Sequence, residues 1–114
     1  MNDCLFCRIV TGDIPAKVVY QDDETIAFDD INPQAPTHVL VIPRGHVASV
    51  EACGEDHGQM LGSILFACAK VARLKGLPER GYRIVTNTGP DAGQSVFHLH
   101  FHVLGGRQLG WPPG

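Results

Sequence analysis

The sequence predicts an α+β fold, in which five antiparallel strands form one sheet, a long helix crosses one face, and a short helix precedes the sheet. Apolar residues recur at three- and four-residue spacing over residues 56–74, which is the period of an amphipathic helix. Short β-prone segments lie on both sides of this helix and do not alternate with helices, as the strands of parallel βαβ units would. Packing the helix on one face of an antiparallel sheet buries both apolar surfaces.

Residues that break regular structure set the bounds of each element. Gly12 ends the first helix, while Pro33 and Pro36 remove ladder donors between the second and third strands. Gly76 and Pro78 end the long helix. The predicted helices are residues 4–11 and 56–74, and the predicted strands are residues 17–20, 25–28, 37–42, 82–86 and 97–104.

Composition indicates a single globular domain, residues 1–114. With 44% hydrophobic and 18% charged residues, the chain can build one core but not two. A net charge of -3 and nine scattered Lys and Arg residues argue against binding to a nucleic acid duplex. Neither a membrane-spanning apolar run nor a basic signal-peptide start is found, so we expect a cytoplasmic protein with no membrane partner and with reduced cysteines.

Three histidines, His98, His100 and His102, occupy every second position of the last predicted strand. Side chains of a strand alternate between its two faces, so the imidazoles share one face and the residues between them share the other. We expect the long helix to cover the apolar face and the histidines to line an exposed face. The predicted core face consists of Phe97, Leu99, Phe101 and Val103.

Clustered imidazoles indicate either chemistry or metal binding, and their periodicity does not separate the two. Imidazole is a nucleophile at neutral pH, so one histidine can attack phosphorus while a neighbour fixes its tautomer. Backbone amides of the preceding turn, which contains Gly89 and Gly93, can hold a phosphate. Two histidines on one strand face can instead chelate a metal ion. His57 lies outside this strand and is expected to be structural.

The run H-L-H-F-H-V-L at residues 98–104 resembles the histidine triad signature, and the chain around it is similar to the nucleotide-binding branch of the histidine triad family. The resemblance implies a homodimer whose two sheets join into one, with a purine nucleotide site for AMP or GMP on each protomer. It also implies hydrolysis of nucleoside 5'-phosphoramidates through a nucleotidyl-histidine intermediate. The segments that carry it further are residues 12–17, 35–43, 93–95, 105–108 and 111–114.

The resemblance implies a role for each matching residue. By position, His100 is the nucleophile, His102 binds the α-phosphate and assists, and His38 completes the histidine network. Asp30 matches the carboxylate that holds the ribose hydroxyls, although an acidic pair before a turn is often only solvated. Ile31 matches a position beside the ribose, and the matches at the base are Leu5, Phe6, Ile9 and Phe28. The matches at the phosphate and leaving group are Asn87, Gly93, Gln94 and Ser95, of which Ser95 also belongs to the catalytic residues. Trp111 matches a residue at the neighbouring protomer's active-site edge.

Core packing is an equal alternative for the four apolar residues assigned to the base. These residues also do not distinguish adenosine from guanosine, because an apolar slot discriminates mainly by size and stacking. Two other functions stay open. One is a nucleotide-binding regulatory or scaffold protein with vestigial hydrolysis, and the other is a metal-dependent hydrolase with His100 and His102 as ligands.

Cys4 and Cys7 form a C-x-x-C pair, which supplies half of a tetrahedral zinc site. Family members that keep this pair resemble one another in holding a structural zinc with two histidines. The resemblance therefore implies a Cys2His2 site made of Cys4, Cys7, His46 and His98. A closed site of this kind is structural, so no cofactor is expected to be required for catalysis. The alternative is that both cysteines are buried thiols.

Overall fold

A computed structural model of the protein describes residues 3–114, and residues 1 and 2 of the predicted domain lie outside the described residues. Within this part of the chain, five strands form one sheet in the order β1-β2-β3-β5-β4, with every neighbouring pair antiparallel. The predicted fold class is confirmed. The elements are α1 (Leu5–Val10), β1 (Val18–Gln21), β2 (Thr25–Asp29), β3 (Thr37–Pro43), α2 (Gly58–Leu74), β4 (Tyr82–Val85) and β5 (Phe101–Gly105), with 3-10 turns at Val50–Ala52 and Glu55–His57 before α2.

The short helix α1 is defined by its two ends. Cys4 is the N-cap, and its Sγ accepts a hydrogen bond from the backbone N–H of Cys7 at 3.4 Å. Gly12 follows the helix with a φ of 85°, a left-handed conformation that residues with a Cβ rarely adopt. Phe6 is buried, so α1 contributes one large apolar side chain to the interior.

Both faces of the sheet are covered, by different elements. The side chains of α2, among them Ile64 and Val71, pack with Val39 and Val41 of β3 in one core cluster. On the opposite face, Phe6 of α1 packs in a second cluster, whose other buried members are Ile26, Phe28, Leu40 and Ile42. The expectation that this second face is exposed was wrong, because the apolar side of α1 is buried against it. His98 and His100 are therefore buried.

The last strand is shorter than predicted. It begins at Phe101, and the segment before it is held by a bond from the N–H of Leu99 to the carbonyl of Val47 at 2.6 Å. β3 ends at Pro43, which has no N–H to extend the ladder. Phe97 is 58% exposed and does not belong to the core, contrary to the prediction, whereas Leu99, Phe101 and Val103 are buried as predicted.

A search of the helices within residues 3–114 finds none with the length and apolar character needed to cross a membrane.

Candidate active site

A cavity of about 670 Å³ lies between α1 and the sheet. Its wall combines apolar side chains from α1 and β2 with polar side chains from the turn after β2 and from the histidine segment. Ten of the predicted site residues line it: Leu5, Phe6, Ile9, Phe28, Asp30, Ile31, His38, Ser95, His100 and His102. The structure therefore brings the residues assigned to the base, the ribose and the catalytic set to one cavity.

A second cavity, of about 460 Å³, shares His38 and His102 with the first. Asn87 lies in this second cavity together with Arg83 and Arg107. His38 and His102 thus form a wall between the first cavity and the second, which contains the two arginines.

Three predicted nucleotide contacts, Gly93, Gln94 and Trp111, line neither cavity within the described residues. Gly93 lies in the turn with a φ of 84°. The Gln94 amide holds that turn together, since its Nε2 donates to the carbonyls of Ala48 at 2.8 Å and Val96 at 3.1 Å. Trp111 is 82% exposed beside the Arg83 guanidinium, and within the described residues it lines neither cavity.

A hydrogen-bond chain assigns the tautomers of His38 and His102. The backbone N–H of Gln34 donates to Nδ1 of His38 at 3.0 Å, so the proton of His38 is on Nε2. That Nε2 lies 2.8 Å from Nδ1 of His102, which therefore accepts the bond, and 3.4 Å from Oδ2 of Asp30. His102 consequently carries its own proton on Nε2 and is a hydrogen-bond donor there.

His100 has the opposite tautomer. Its Nδ1 lies 2.7 Å from the carbonyl oxygen of His98, which can only accept, so the proton of the neutral ring is on Nδ1 and its lone pair is on Nε2. The ring stands edge-on to Phe6, with centroids 5.1 Å apart, and its centroid is also 5.1 Å from that of His102. The cavity wall therefore pairs one imidazole with an unprotonated nitrogen and one imidazole with a donor.

Burial keeps two of these imidazoles neutral. It lowers the pKa of His102 from its usual 6.5 to about 4, with repulsion from His100 and His38 acting in the same direction and Asp30 opposing. Burial also lowers the pKa of His38, against the attraction of Asp30. Neutral imidazoles at pH 7 are what the hydrogen-bond chain requires.

Next to His100, a group of possible metal ligands converges at the N-terminus of α1: Cys4, Cys7, His46 and His98. Nδ1 of His98 lies 3.4 Å from Sγ of Cys4, 3.5 Å from Sγ of Cys7 and 3.3 Å from Nδ1 of His46. Sγ of Cys7 lies 3.4 Å from Nδ1 of His46. Zinc bonds of ~2.0–2.3 Å place the ligand atoms of a tetrahedron roughly 3.3–3.8 Å apart.

The ligand atoms of this cluster suit zinc in their chemical type and also in their geometry. Two thiols and two imidazoles form a common structural zinc set. Nε2 of His98 donates to the carbonyl of Pro43 at 2.9 Å, so its Nδ1 keeps the lone pair that a metal ion needs. These four residues can hold a structural zinc ion, and they are referred to below as the metal cluster.

A second group with ligand atoms within 4.8 Å of one another consists of Asp30, His38 and His102. It does not contain His100, which the metal-dependent alternative required. The facing nitrogens of the two histidines already share one proton at 2.8 Å, so a cation would have to displace it. In this structure, His38 and His102 are joined by a hydrogen bond that occupies the two facing nitrogens.

Sequence reasoning did not find the backbone groups that orient the histidines. These are the N–H of Gln34 and the carbonyls of Pro43 and His98. It also did not find a charged pair at the cavity rim, where Nζ of Lys75 lies 3.6 Å from Oδ1 of Asp29. The prolines around Gln34 were a signal for a rigid turn, but a backbone bond to a side chain has no signature in sequence.

The sequence model of the HIT domain matches residues 11–109, and the chain belongs to this histidine triad family. An uncharacterized HIT-like protein of Synechococcus elongatus is 49% identical over 113 residues, covering 99% of this chain and 98% of the relative. A 14 kDa zinc-binding protein of Zea mays is 48% identical, covering 96% and 87%. The crystal structure of a HIT family hydrolase from Legionella pneumophila has a TM-score of 0.96 at 50% identity, covering 98% of this chain and all of that one. The chain has the fold of HIT family hydrolases.

Proposed function

We propose that the protein is a purine nucleoside phosphoramidase of the nucleotide-binding branch of the family. It would cleave nucleoside 5'-phosphoramidates, of the adenosine 5'-monophosphoramidate type, through a nucleotidyl-histidine intermediate on His100. The observation that carries this proposal is the pair of opposite tautomers at the cavity. Nε2 of His100 is unprotonated because Nδ1 is bonded to a carbonyl, and Nε2 of His102 carries a proton.

The first cavity offers a separate environment for each part of a nucleotide. Phe28 and Ile9 form apolar walls on which a purine can stack. Asp30 is held in place by the N–H of Asn32, which donates to its Oδ1 at 2.8 Å. A carboxylate fixed in this way can accept hydrogen bonds from the two ribose hydroxyls. With the base and the ribose held in this order, the α-phosphate would lie beside His100 and His102.

In the proposed reaction, Nε2 of His100 attacks phosphorus while the bond from phosphorus to the amine nitrogen breaks. The departing nitrogen takes up a proton from a water molecule and leaves as the amine, and Nε2–H of His102 stabilises the charge on a phosphate oxygen. Water then attacks phosphorus, returns a proton to the solvent, and the bond to His100 breaks. The nucleoside monophosphate is released and His100 returns to its starting state. Each step uses only groups of this chain, the substrate and water.

The second cavity supports a position for the leaving amine. It lies on the far side of His38 and His102 from the base slot and contains Asn87, which was assigned to this end of the substrate. The proposed role of Trp111 at the partner's active-site edge stays a prediction, since it depends on the homodimer.

Two features of the surface support the proposed homodimer. β4 is an edge strand, so its outer hydrogen-bonding groups are available to pair with a second copy. Phe66 on α2 is 73% exposed, and Leu65 and Tyr82 are partly exposed apolar side chains. Pairing of two β4 strands would give the continuous sheet that the family resemblance implies.

The test is release of AMP from adenosine 5'-phosphoramidate by the wild type and by His100→Ala, each with and without a strong chelator. We expect release that requires His100 and that remains well above the His100→Ala level after chelation. Loss of release to that level on chelation would favour the metal-dependent hydrolase. A wild type that binds AMP without hydrolysing the phosphoramidate would favour the scaffold protein.

Ribose recognition by Asp30 has its own test. Asp30→Asn should remove the preference for AMP over 2'-deoxy-AMP in a binding titration, because the amide no longer accepts two hydroxyl protons equally well. An unchanged preference would show that the ribose is held elsewhere. Asp29→Asn, one residue earlier and paired with Lys75, is the matched control and should keep the preference.

A further inference from the structure

We propose that the metal cluster is a positioning element of the active site, so that a bound metal ion fixes both the nucleophile and one wall of the nucleotide cavity. This goes beyond a purely structural zinc, and it rests on the proposed function for the identity of the nucleotide ligand. Two physical links join the cluster to the cavity, one through His98 and one through α1.

The first link is that His98 belongs to both sites. Its Nδ1 faces Cys4, Cys7 and His46, while its backbone carbonyl accepts the proton of His100 Nδ1 at 2.7 Å. The side chain is fully buried. A metal ion that fixes the His98 side chain therefore also restrains the carbonyl that sets the His100 tautomer. Without that carbonyl in place, the His100 proton can move to Nε2, where it blocks nucleophilic attack.

The second link is that the two thiol ligands belong to α1. Leu5 and Phe6 lie between Cys4 and Cys7 in the sequence, and both line the nucleotide cavity. Phe6 packs edge-on against the rings of His98 and His100, with centroids 5.9 Å and 5.1 Å away. It also packs against Phe28 at 5.5 Å. The same short stretch therefore supplies metal ligands on one side and cavity wall on the other.

A helix as short as α1 is not stable alone, so its position depends on what holds it to the sheet. Burial of Phe6 is one restraint, and the two bonds from a metal ion to Cys4 and Cys7 would be the other. Loss of the ion would free the N-terminus of α1 and loosen the base slot. Because the ion does not touch the substrate, this loss should weaken binding and turnover without abolishing them.

The experiment compares metal-loaded wild type with protein from which the metal has been removed, and then with protein to which zinc has been restored. AMP affinity is measured by calorimetry, and the histidine tautomers are read from long-range ¹H–¹⁵N correlation spectra. We expect metal removal to weaken AMP binding about tenfold and to convert His100 from the Nδ1–H tautomer to a mixture, since small displacements in a site carry effects of this size. Restored zinc should reverse both changes.

Cys4→Ser combined with Cys7→Ser should reproduce the metal-free state, and Cys53→Ser is the matched control. Cys53 lies outside the cluster, where its Sγ bonds to the carbonyl of Ser49, so its replacement should change neither AMP affinity nor the His100 tautomer. Equal AMP affinity and an unchanged His100 spectrum in folded metal-free protein would overturn the proposal.

Exchange of zinc for cadmium keeps the test decisive if the metal-free protein unfolds. Cadmium is a larger ion that thiolates also bind, so it should shift the ¹⁵N resonances of His100 while those of the distant His57 stay unchanged. Identical His100 resonances with the two ions would overturn the proposal. The tautomer measurement needs no substrate, so it is independent of the phosphoramidase proposal. That proposal fails separately, if the zinc-loaded wild type releases no AMP.

Discussion

Two groups of histidines lie next to each other: the metal cluster, and a cavity cluster made of His38, His100 and His102. They differ in which ring nitrogen is bonded to a backbone carbonyl. In the metal cluster, His98 gives its Nε2 proton to the carbonyl of Pro43 and keeps Nδ1 unprotonated. In the cavity cluster, the neutral His100 ring donates a hydrogen bond from Nδ1 to the carbonyl of His98 and has its lone pair on Nε2. Two residues apart in sequence, these imidazoles have opposite tautomers. The carbonyl that each ring bonds to decides which nitrogen keeps a lone pair, Nδ1 in His98 for a metal ion and Nε2 in His100 for the proposed nucleophilic attack.

Replacing each of these two histidines by alanine should give different phenotypes, and the loss of turnover in His100→Ala is the largest expected effect. His100→Ala should lower the rate of AMP release by roughly 10⁴-fold or more, as expected when a nucleophile is lost, with AMP binding changed only a few-fold. His98→Ala should instead lower metal content and stability. Stopped assays of AMP release, calorimetry of AMP binding, elemental analysis and urea denaturation measure the four quantities. Equal loss of AMP binding and turnover in His100→Ala would contradict a nucleophilic role.

Removal of the metal should act mainly on stability. We expect Cys7→Ser to reduce the free energy of unfolding by about 3 kcal/mol or more, because a structural metal site contributes its binding free energy to folding. Urea denaturation with and without a chelator checks this. The chelator should lower the wild type to the level of the variant and leave the variant unchanged. A variant as stable as the wild type would indicate that the cysteines are ordinary buried thiols.

Acid should affect the cavity cluster through His102. Its pKa is about 4 in the folded protein, below the usual 6.5, so between these values the unfolded state binds a proton that the folded state does not. Stability should therefore fall as the pH drops from about 6.5 to about 4, and the lowered pKa of His38 acts in the same direction.

The contribution of His102 is isolated by comparing the wild type with His102→Gln, since both keep the metal cluster and its own acid sensitivity. We expect the variant to lose roughly 1–3 kcal/mol less of its unfolding free energy between pH 7 and pH 4. Thermal or urea unfolding at several pH values measures the difference. Parallel stability curves would show that His102 is not held neutral by the fold.

A histidine outside both clusters should give the smallest effect. His57, just before α2, accepts a hydrogen bond on its imidazole from the backbone N–H of Gly54 at 2.9 Å. It lines neither cavity within the described residues. His57→Ala should leave AMP release unchanged and lower stability by about 1 kcal/mol or less, as for loss of one capping bond. A large loss of activity would reveal a coupling between α2 and the active site.

Most of the fold could be predicted from the sequence because its signals are local. The period of α2, the hairpin of β1 and β2, and the prolines that bound β3 are all properties of short segments. The predictions were wrong where the burial of a residue depends on a segment that is distant in the sequence. Phe97 continues the alternation of the buried Leu99 and Phe101, yet it is exposed, because it lies in a bend before the strand. The histidine face is buried because α1 packs there, and no local pattern specifies where a six-residue helix packs.

By itself, the sequence determined which side chains are available for chemistry: histidines alternating with apolar residues, a C-x-x-C pair, and an acidic pair before a proline turn. Only the tertiary structure decided what each histidine can do. Tautomers depend on hydrogen-bond partners, and the partner of His98 is a carbonyl 55 positions away in the chain. His38 and His102 meet across 64 positions, where β3 pairs with β5. Such contacts are made by the packing of strands and loops, so identical side chains acquire different roles only when the chain is folded.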